Sequence, residues 1–263
     1  MIENRVKRVW REGGLALGAY SGCFGTPAMV EIIAHAGYDA VFIDMEHNPF
    51  DLRDVHVMVL AAERMGITPI VRPPGFDPAF LLRLLEMGVQ GVYVPHIDGA
   101  EAARRAVEAV YYAPLGGRGM MAVSRGSDYG KIPLKQYMEQ ANREVLLGIM
   151  IEDLKALDEI EEIASIKGID MIAVGPADMS RALGVAGEPN HPKLVATMER
   201  VAEAVRKSNN ARLSLAVGNP LFPRTLKQLR DMGVSYTNVV PAPETILLRA
   251  MSQKVADLRK ELE

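Results

Sequence analysis

Two carboxylates stand where their chemistry could be shared. Glu152 directly follows the apolar run Val145-Leu-Leu-Gly-Ile-Met-Ile151, and Asp178 lies just past Ile169-Asp-Met-Ile-Ala-Val-Gly175. Each marks the end of a buried strand. If those strands are parallel and closed into a barrel, their C-terminal ends converge on one face, and two distant acids can hold one hard cation. Other strand ends add different chemistry: Asp44, Glu46 and His47 after the second run, Arg72 before two prolines, His96 after Pro95, and Asn219 after the seventh. Asp44 and Glu46 alternate around Met45, so on a continuing strand both acids face one side and can reach a histidine beyond them. Blander readings stand beside these. Arg72 could only bridge a neighbouring carboxylate. Glu152 and Asp178 could open helices over 154–163 and 179–183, where acids suit the dipole, and His47 could be a loop residue. His35, His56 and His191 read as structural, and His96 has no spaced partner to recruit it.

The elements that must position these groups follow a simple order. Short β-rich runs at 15–20, 40–44, 68–71, 91–95, 145–151, 169–174, 213–217 and 236–240 make eight strand candidates. Between them, segments such as 52–65, 78–87, 100–110 and 221–232 space apolar residues at three and four, as core-facing helices do. Gly37, Gly88, Gly168 and Gly233 each sit between a helix and the next strand, where glycine takes the left-handed position cheaply. Eight βα units, with no glycine-rich dinucleotide loop after the first strand, favour a closed (β/α)8 TIM barrel over an open doubly wound sheet. Residues 113–140 exceed a simple joint and are expected to lie over the catalytic mouth, with a short helix beginning near Pro133. At the tail, Leu247, Met251, Val255, Leu258 and Leu262 form one apolar stripe on a terminal helix that could cap its own barrel or a partner's.

The chain of 263 residues, 49% of them hydrophobic, suits one large α/β domain spanning 1–263. A net charge of -3 with interspersed signs offers no basic stripe for a nucleic acid. The single cysteine, Cys23, cannot form an internal disulfide and reads as a small buried hydrophobe. No run approaches the roughly 20 apolar residues of a membrane span, and the N-terminus lacks a signal-peptide pattern, so the expected setting is the cytoplasm with no membrane partner.

The ordered set of motifs resembles the metal-dependent (class II) pyruvate aldolases of the 4-hydroxy-2-oxoheptanedioate and 2-dehydro-3-deoxyglucarate aldolase type. It comprises Gly37-Tyr-Asp-Ala-Val-Phe-Ile-Asp-Met-Glu-His47, Val71-Arg-Pro-Pro74, Pro114-Leu-Gly-Gly-Arg-Gly119, Ile151-Glu152 and Val174-Gly-Pro-Ala-Asp-Met-Ser180. The resemblance spans nearly the full length. It implies that Glu152 and Asp178 bind a divalent metal cation, Mg, Mn or Co, which chelates a 2-oxo acid. Gly175, Pro176, Ala177 and Asp178 would line the carboxylate subsite. His47 would be the general base, oriented by Asp44 and tuned by Glu86 near the end of the third core-facing helix, and Arg72 would stabilise the developing enolate. The chemistry agrees: cleaving a carbon–carbon bond β to a ketone leaves an enolate whose charge a metal and a guanidinium can hold, while a histidine takes the hydroxyl proton. The resemblance also implies a homo-oligomer, a hexamer built as a trimer of dimers that exchange the terminal helix.

Independently of the family, a Schiff-base route would need a desolvated lysine inside the barrel, and none of the eight strand runs contains one. Two departures stand out. Met150 occupies a position commonly glutamine in these aldolases, and alternation puts it on the same side as Glu152. Arg125, after the glycine-rich turn, could meet an anionic acceptor aldehyde or simply be solvated. Three readings follow. The first is a metal aldolase releasing pyruvate and an aldehyde. The second is a related lyase or decarboxylase acting on an oxaloacetate-like acid or acyl-CoA thioester. The third is a noncatalytic 2-oxo-acid-binding barrel.

Overall fold

The computed structural model describes residues 3–262. A short helix α1 (Arg5–Arg11) precedes the first strand, β1 (Ala16–Tyr20), and the repeat then runs α2 (Pro27–His35), β2 (Ala40–Asp44), α3 (Leu52–Met65), β3 (Thr68–Arg72), α4 (Pro78–Glu86), β4 (Gly91–Val94) and α5 (Ala100–Val110). The second half is α6 (Leu134–Glu144), β5 (Leu146–Ile151), α7 (Leu154–Asp158), α8 (Ile160–Ser165), β6 (Met171–Val174), α9 (Pro176–Ala182), α10 (Pro192–Ser208), β7 (Arg212–Ser214), α11 (Leu226–Asp231), β8 (Val234–Val239) and α12 (Pro243–Lys260). All eight strands are parallel and close in sequence order, β1 pairing with β8, so the chain forms the (β/α)8 barrel that its alternation predicts.

Local chemistry explains the joints. Gly37, Gly88, Gly168 and Gly233 all have left-handed φ, between 94° and 98°, a region that costs other residues a Cβ clash. α3 begins at Asp51 with a reciprocal capping box to Asp54 and ends on left-handed Gly66. Outward-facing strand residues such as Val41, Ile43, Val71, Val92, Leu147 and Ile149 pack under the helices as one core. Inward-facing ones form a separate core in the lumen, including Ala16, Ala40, Phe42, Ile70, Tyr93, Leu146, Met150, Met171 and Tyr236. At the N-terminal end of the strands, α1 plugs this lumen. Trp10 Nε1 donates to the Ser235 carbonyl at 2.7 Å, and the Val6 amide donates to Thr68 Oγ1 at 3.2 Å. The opposite, C-terminal end is the mouth.

Several boundaries differ from expectation. β7 is shorter than 213–217: its ladder to β8 slips between Leu213 and Ser214, and only the isolated bridge from Val217 to Val239 continues it. α11 starts at Leu226 rather than 221, since Pro223 interrupts the segment and Thr225 supplies the cap and capping box. The 111–133 segment lies away from the mouth. It connects the end of α5 to α6 and β5, so it runs along the strands' N-terminal end, where Arg125 pairs with both oxygens of Glu63 near the end of α3. Cys23 is exposed rather than buried, because it sits in the loop between β1 and α2 instead of on a packed face.

Candidate active site

Alternation along the strands sends Asp44, Arg72, Met150 and Glu152 to the lumen side of the mouth. The β2/β3 register places Asp44 directly opposite Arg72, so their side chains meet. Arg72 Nε donates to Asp44 Oδ1 at 2.8 Å and Nη2 to Oδ2 at 2.5 Å, the bidentate geometry a guanidinium favours. The third nitrogen, Nη1, lies 3.1 Å from Glu46 Oε2 and 3.8 Å from the Met150 sulfur. Burial works against the Arg72 charge, but the Asp44 hydrogen bonds and the charges of Asp44 and Glu46 more than offset it, leaving the pKa above its usual value.

Glu152 is released from the capping role it could have taken. Asp153 caps α7 instead, accepting from the Ala156 amide at 2.9 Å. The Glu152 side chain is only 5% exposed, and Oε2 accepts the backbone N–H of His96 at 3.2 Å. Burial raises its pKa, the His96 hydrogen bond and charge oppose the rise, and the charges of Asp178 and Glu46 add to it. Asp178 lies in the first turn of α9, capped by Gly175, and its nearest cation is Arg181 on the same helix at 3.5 Å. A methyl on Gly175 would stand 3.1 Å from Glu152 Oε1, so the glycine leaves that oxygen uncrowded.

The pocket in front of these groups has a volume of about 90 Å³ and is lined by Tyr20, Phe42, Arg72, Tyr93, Met150 and Gly175 among others. Its aromatic floor is built edge to face, with Tyr20 to Phe42 at 5.2 Å and Phe42 to Tyr93 at 5.1 Å. Burial pushes the Tyr20 and Tyr93 hydroxyls upward in pKa, keeping them neutral donors. Tyr93 donates to Ser214 Oγ at 3.2 Å, and Asn219 and Asn238 complete the polar wall.

Among the residues expected at the site, Asp44, Arg72, Met150, Glu152, Gly175, Pro176 and Asp178 meet at the mouth. His47 is at the rim, its ring exposed and its Nε2 3.9 Å from Glu46 Oε2. Asp44 does not hold that ring. Its Oδ1 accepts the backbone amides of Glu46 and His47 at 3.0 and 3.4 Å, while its carboxylate is committed to Arg72. Glu86 is not brought to His47 within the chain: α4 ends at the opposite face of the barrel, where Arg118 Nη2 donates to Glu86 at 3.1 Å. Arg125 is on that face too, tied to Glu63 and to the Met87 carbonyl. Sequence reading passed over the aromatic floor and the pairing of Glu46 with Arg72 and His96. The period-2 placement of Tyr20, Phe42 and Tyr93 on strands was the available signal for the floor. Nothing in the sequence marks His96 as left-handed, with φ 54°.

The donor set fits a hard divalent cation. Glu152 is nearly dry, and the negative charge of Asp178 is among the causes that raise its pKa. Among the described residues no three His, Cys, Asp or Glu side chains converge on one cation position, so two protein ligands would leave the remaining positions to water or substrate oxygens, as magnesium prefers.

Comparison with known proteins identifies relatives of the chain. A pyruvate aldolase of Rhizobium etli is 38% identical over 196 residues, covering 74% of this chain and 76% of that protein. A 4-hydroxy-2-oxo-heptane-1,7-dioate aldolase of Escherichia coli is 32% identical over 259 residues, 97% of this chain and 98% of its own. A crystal structure of an HpcH/HpaI aldolase/citrate lyase family protein from Burkholderia cenocepacia superposes with a TM-score of 0.85 at 30% identity, covering 97% of this chain and 99% of the other. Residues 22–229 match the family's own pattern, and the chain belongs to the HpcH/HpaI aldolase/citrate lyase family.

Proposed function

We propose that this chain is a divalent-metal-dependent aldolase that reversibly cleaves a 4-hydroxy-2-oxo acid to pyruvate and an aldehyde. The observation that carries the reading is the convergence, at the mouth of the barrel, of the cation Arg72, paired with Asp44 and Glu46, and the buried carboxylate Glu152, on which the charge of Asp178 acts. The pocket is far below the roughly 300–1,000 Å³ of drug-sized sites, which suits a small oxo acid. Names of relatives support the class.

Glu152 and Asp178 would hold the cation. When bound, the ion supplies positive charge at the carboxylate and 2-oxo oxygens of the substrate. The first turn of α9 has no side-chain cap, which leaves the amides around Ala177 and Asp178 for the substrate carboxylate. His47 takes the proton of the 4-hydroxyl; the C3–C4 bond breaks, the former hydroxyl carbon leaves as the aldehyde, and the electron pair passes into the pyruvate enolate. Arg72, fixed by Asp44 and Glu46, faces that enolate charge from a partly desolvated position where a preorganised cation is most effective. Protonation at C3 releases pyruvate. Met150 offers no amide to the substrate, and its sulfur packs against Arg72 instead.

Pyruvate release from a panel of 4-hydroxy-2-oxo acids, with and without chelator, tests the reading. Expected is chelator-sensitive release that Glu152→Ala lowers by about 100-fold or more. Release that survives both treatments sinks the metal site. Turnover of oxaloacetate or an acyl-CoA thioester, with none of the panel, moves the reading to the citrate-lyase side of the family.

A further inference from the structure

His96 has no part in the chemistry above and Glu46 enters it only as a contact of Arg72, yet the structure places both between its two halves. His96 holds φ at 54°, a region uncommon for a residue with a Cβ and often found where a side chain or amide must be aimed. This backbone turns the His96 N–H onto Glu152 Oε2 at 3.2 Å and carries the ring across to Glu46, with Nε2 2.6 Å from Oε1. Glu46 then presents Oε2 to Arg72 Nη1 at 3.1 Å. Asp44 already fixes Nε and Nη2 of the same guanidinium. Nη1 meets Glu46 Oε2 as a charge contact outside hydrogen-bond geometry, so Glu46 adds an electrostatic hold to the planar guanidinium that Asp44 aligns. The Glu46 and Glu152 side chains are 12% and 5% exposed while the His96 ring is 60% exposed. The histidine is a strap lying over two buried carboxylates, whose hydrogen bonds are strengthened by the low local dielectric.

We propose that His96 is a positioning residue. Through Glu46 it fixes Arg72 relative to Glu152, so that the guanidinium facing the enolate and the carboxylate facing the cation share one frame. The backbone half of the strap orients Glu152 by occupying Oε2, leaving Oε1 beside Gly175. The ring half bridges the two, with Nδ1 3.3 Å from Glu152 Oε2 and Nε2 on Glu46, the neighbour of Arg72. This inference rests on the aldolase reading, and its test separates the two.

His96→Asn is the informative substitution, because asparagine tolerates the left-handed conformation. It keeps the backbone amide on Glu152 and a polar atom near the position of Nδ1, which lies 3.3 Å from Glu152 Oε2, and loses the reach of Nε2 to Glu46. Glu46→Gln and the double variant complete a cycle. Three quantities are measured on each protein: Mn²⁺ affinity from the free-ion EPR signal, oxalate affinity of the Mn²⁺-loaded protein as a mimic of the planar enolate, and kcat and KM for pyruvate release. Expected for His96→Asn are an unchanged thermal midpoint, wild-type Mn²⁺ affinity, and oxalate affinity and kcat each lowered about ten-fold, the lower end of what orienting partners contribute. KM stays near wild type, and the substitution has no added effect in the Glu46→Gln background. Wild-type oxalate affinity in His96→Asn, or additive losses in the double variant, overturns the inference alone. Lost Mn²⁺ affinity in His96→Asn also overturns it, since the ring would then serve the metal carboxylate rather than Arg72. A wild-type protein that binds no Mn²⁺ removes the metal reading and the inference with it.

Discussion

At the level of single residues, Glu152 carries the clearest pH signature. Its carboxyl is raised above the ordinary range, chiefly by burial and further by the charges of Asp178 and Glu46. A raised carboxyl means the folded chain holds the proton more tightly than the unfolded one, so this contribution to stability is fully present below the unfolded pKa and is lost as pH rises through the folded value. Metal-free protein should therefore lose stability across that interval, and Glu152→Gln should flatten the slope; denaturant midpoints over a pH series measure it, and an unchanged slope in the variant contradicts the assignment. Cation binding needs the deprotonated form, so added Mn²⁺ should restore most stability at the alkaline end. The residues themselves were legible because they sit at strand ends: Arg72, Glu152 and Asp178 follow apolar runs that could only be buried strands. Their partners were less so. The family resemblance assigns Asp44 to orient His47, whereas the β2/β3 register, invisible in one chain, sets Asp44 opposite Arg72.

At the level of elements, the repeated helix–glycine–strand joint made the barrel readable, and it supplies a graded test. Gly37 and Gly168 share the left-handed backbone, at 95° and 97°, but differ in surroundings. A methyl at Gly37 meets nothing within 4 Å, whereas one at Gly168 would lie 2.8 Å from Val107 Cγ1. Gly37→Ala should cost about 1–2 kcal/mol from backbone strain alone, and Gly168→Ala should cost more by displacing α5 from β6's approach; urea unfolding of the two variants ranks them, and equal losses would mean that α5 yields freely. The misplaced elements share one cause. Helices 52–65 and 78–87 were read correctly in extent, but their C-terminal ends necessarily adjoin strand N-termini, so Glu86, and the 111–133 segment after α5, belong to the face away from the mouth. That follows from alternation once the barrel is closed, and spacing along the chain does not reveal it. β7 was overextended because its apolar run continues to Val217, while its ladder slips at Leu213 and Ser214.

At the scale of the whole molecule, two apolar surfaces have no cover within the chain. α12 runs for 18 residues without a buried side chain, and Leu247, Met251, Val255 and Leu258 are all between 46% and 60% exposed. Met120, Met121, Val123 and Tyr129 are exposed on the loop at the far face. The stripe was legible in the sequence, since its four-four-three-four spacing admits no other helical face; what covers it is not encoded in spacing at all. No helix of the described residues is long and apolar enough to cross a membrane, and patches of this kind on a folded chain mark contact surfaces. We propose that a second copy covers α12, in a homo-oligomer of dimers that exchange this helix. α12 is joined to the barrel immediately after β8, whose strand closes the ring onto β1. Removing residues 244–263 should therefore dissociate or aggregate the protein and abolish pyruvate release together, as read by light scattering on a size-exclusion column alongside the chelator assay. A truncated chain that elutes as an active particle with the full-length subunit number would mean that the helix only decorates the surface and that oligomer contacts, if present, lie elsewhere.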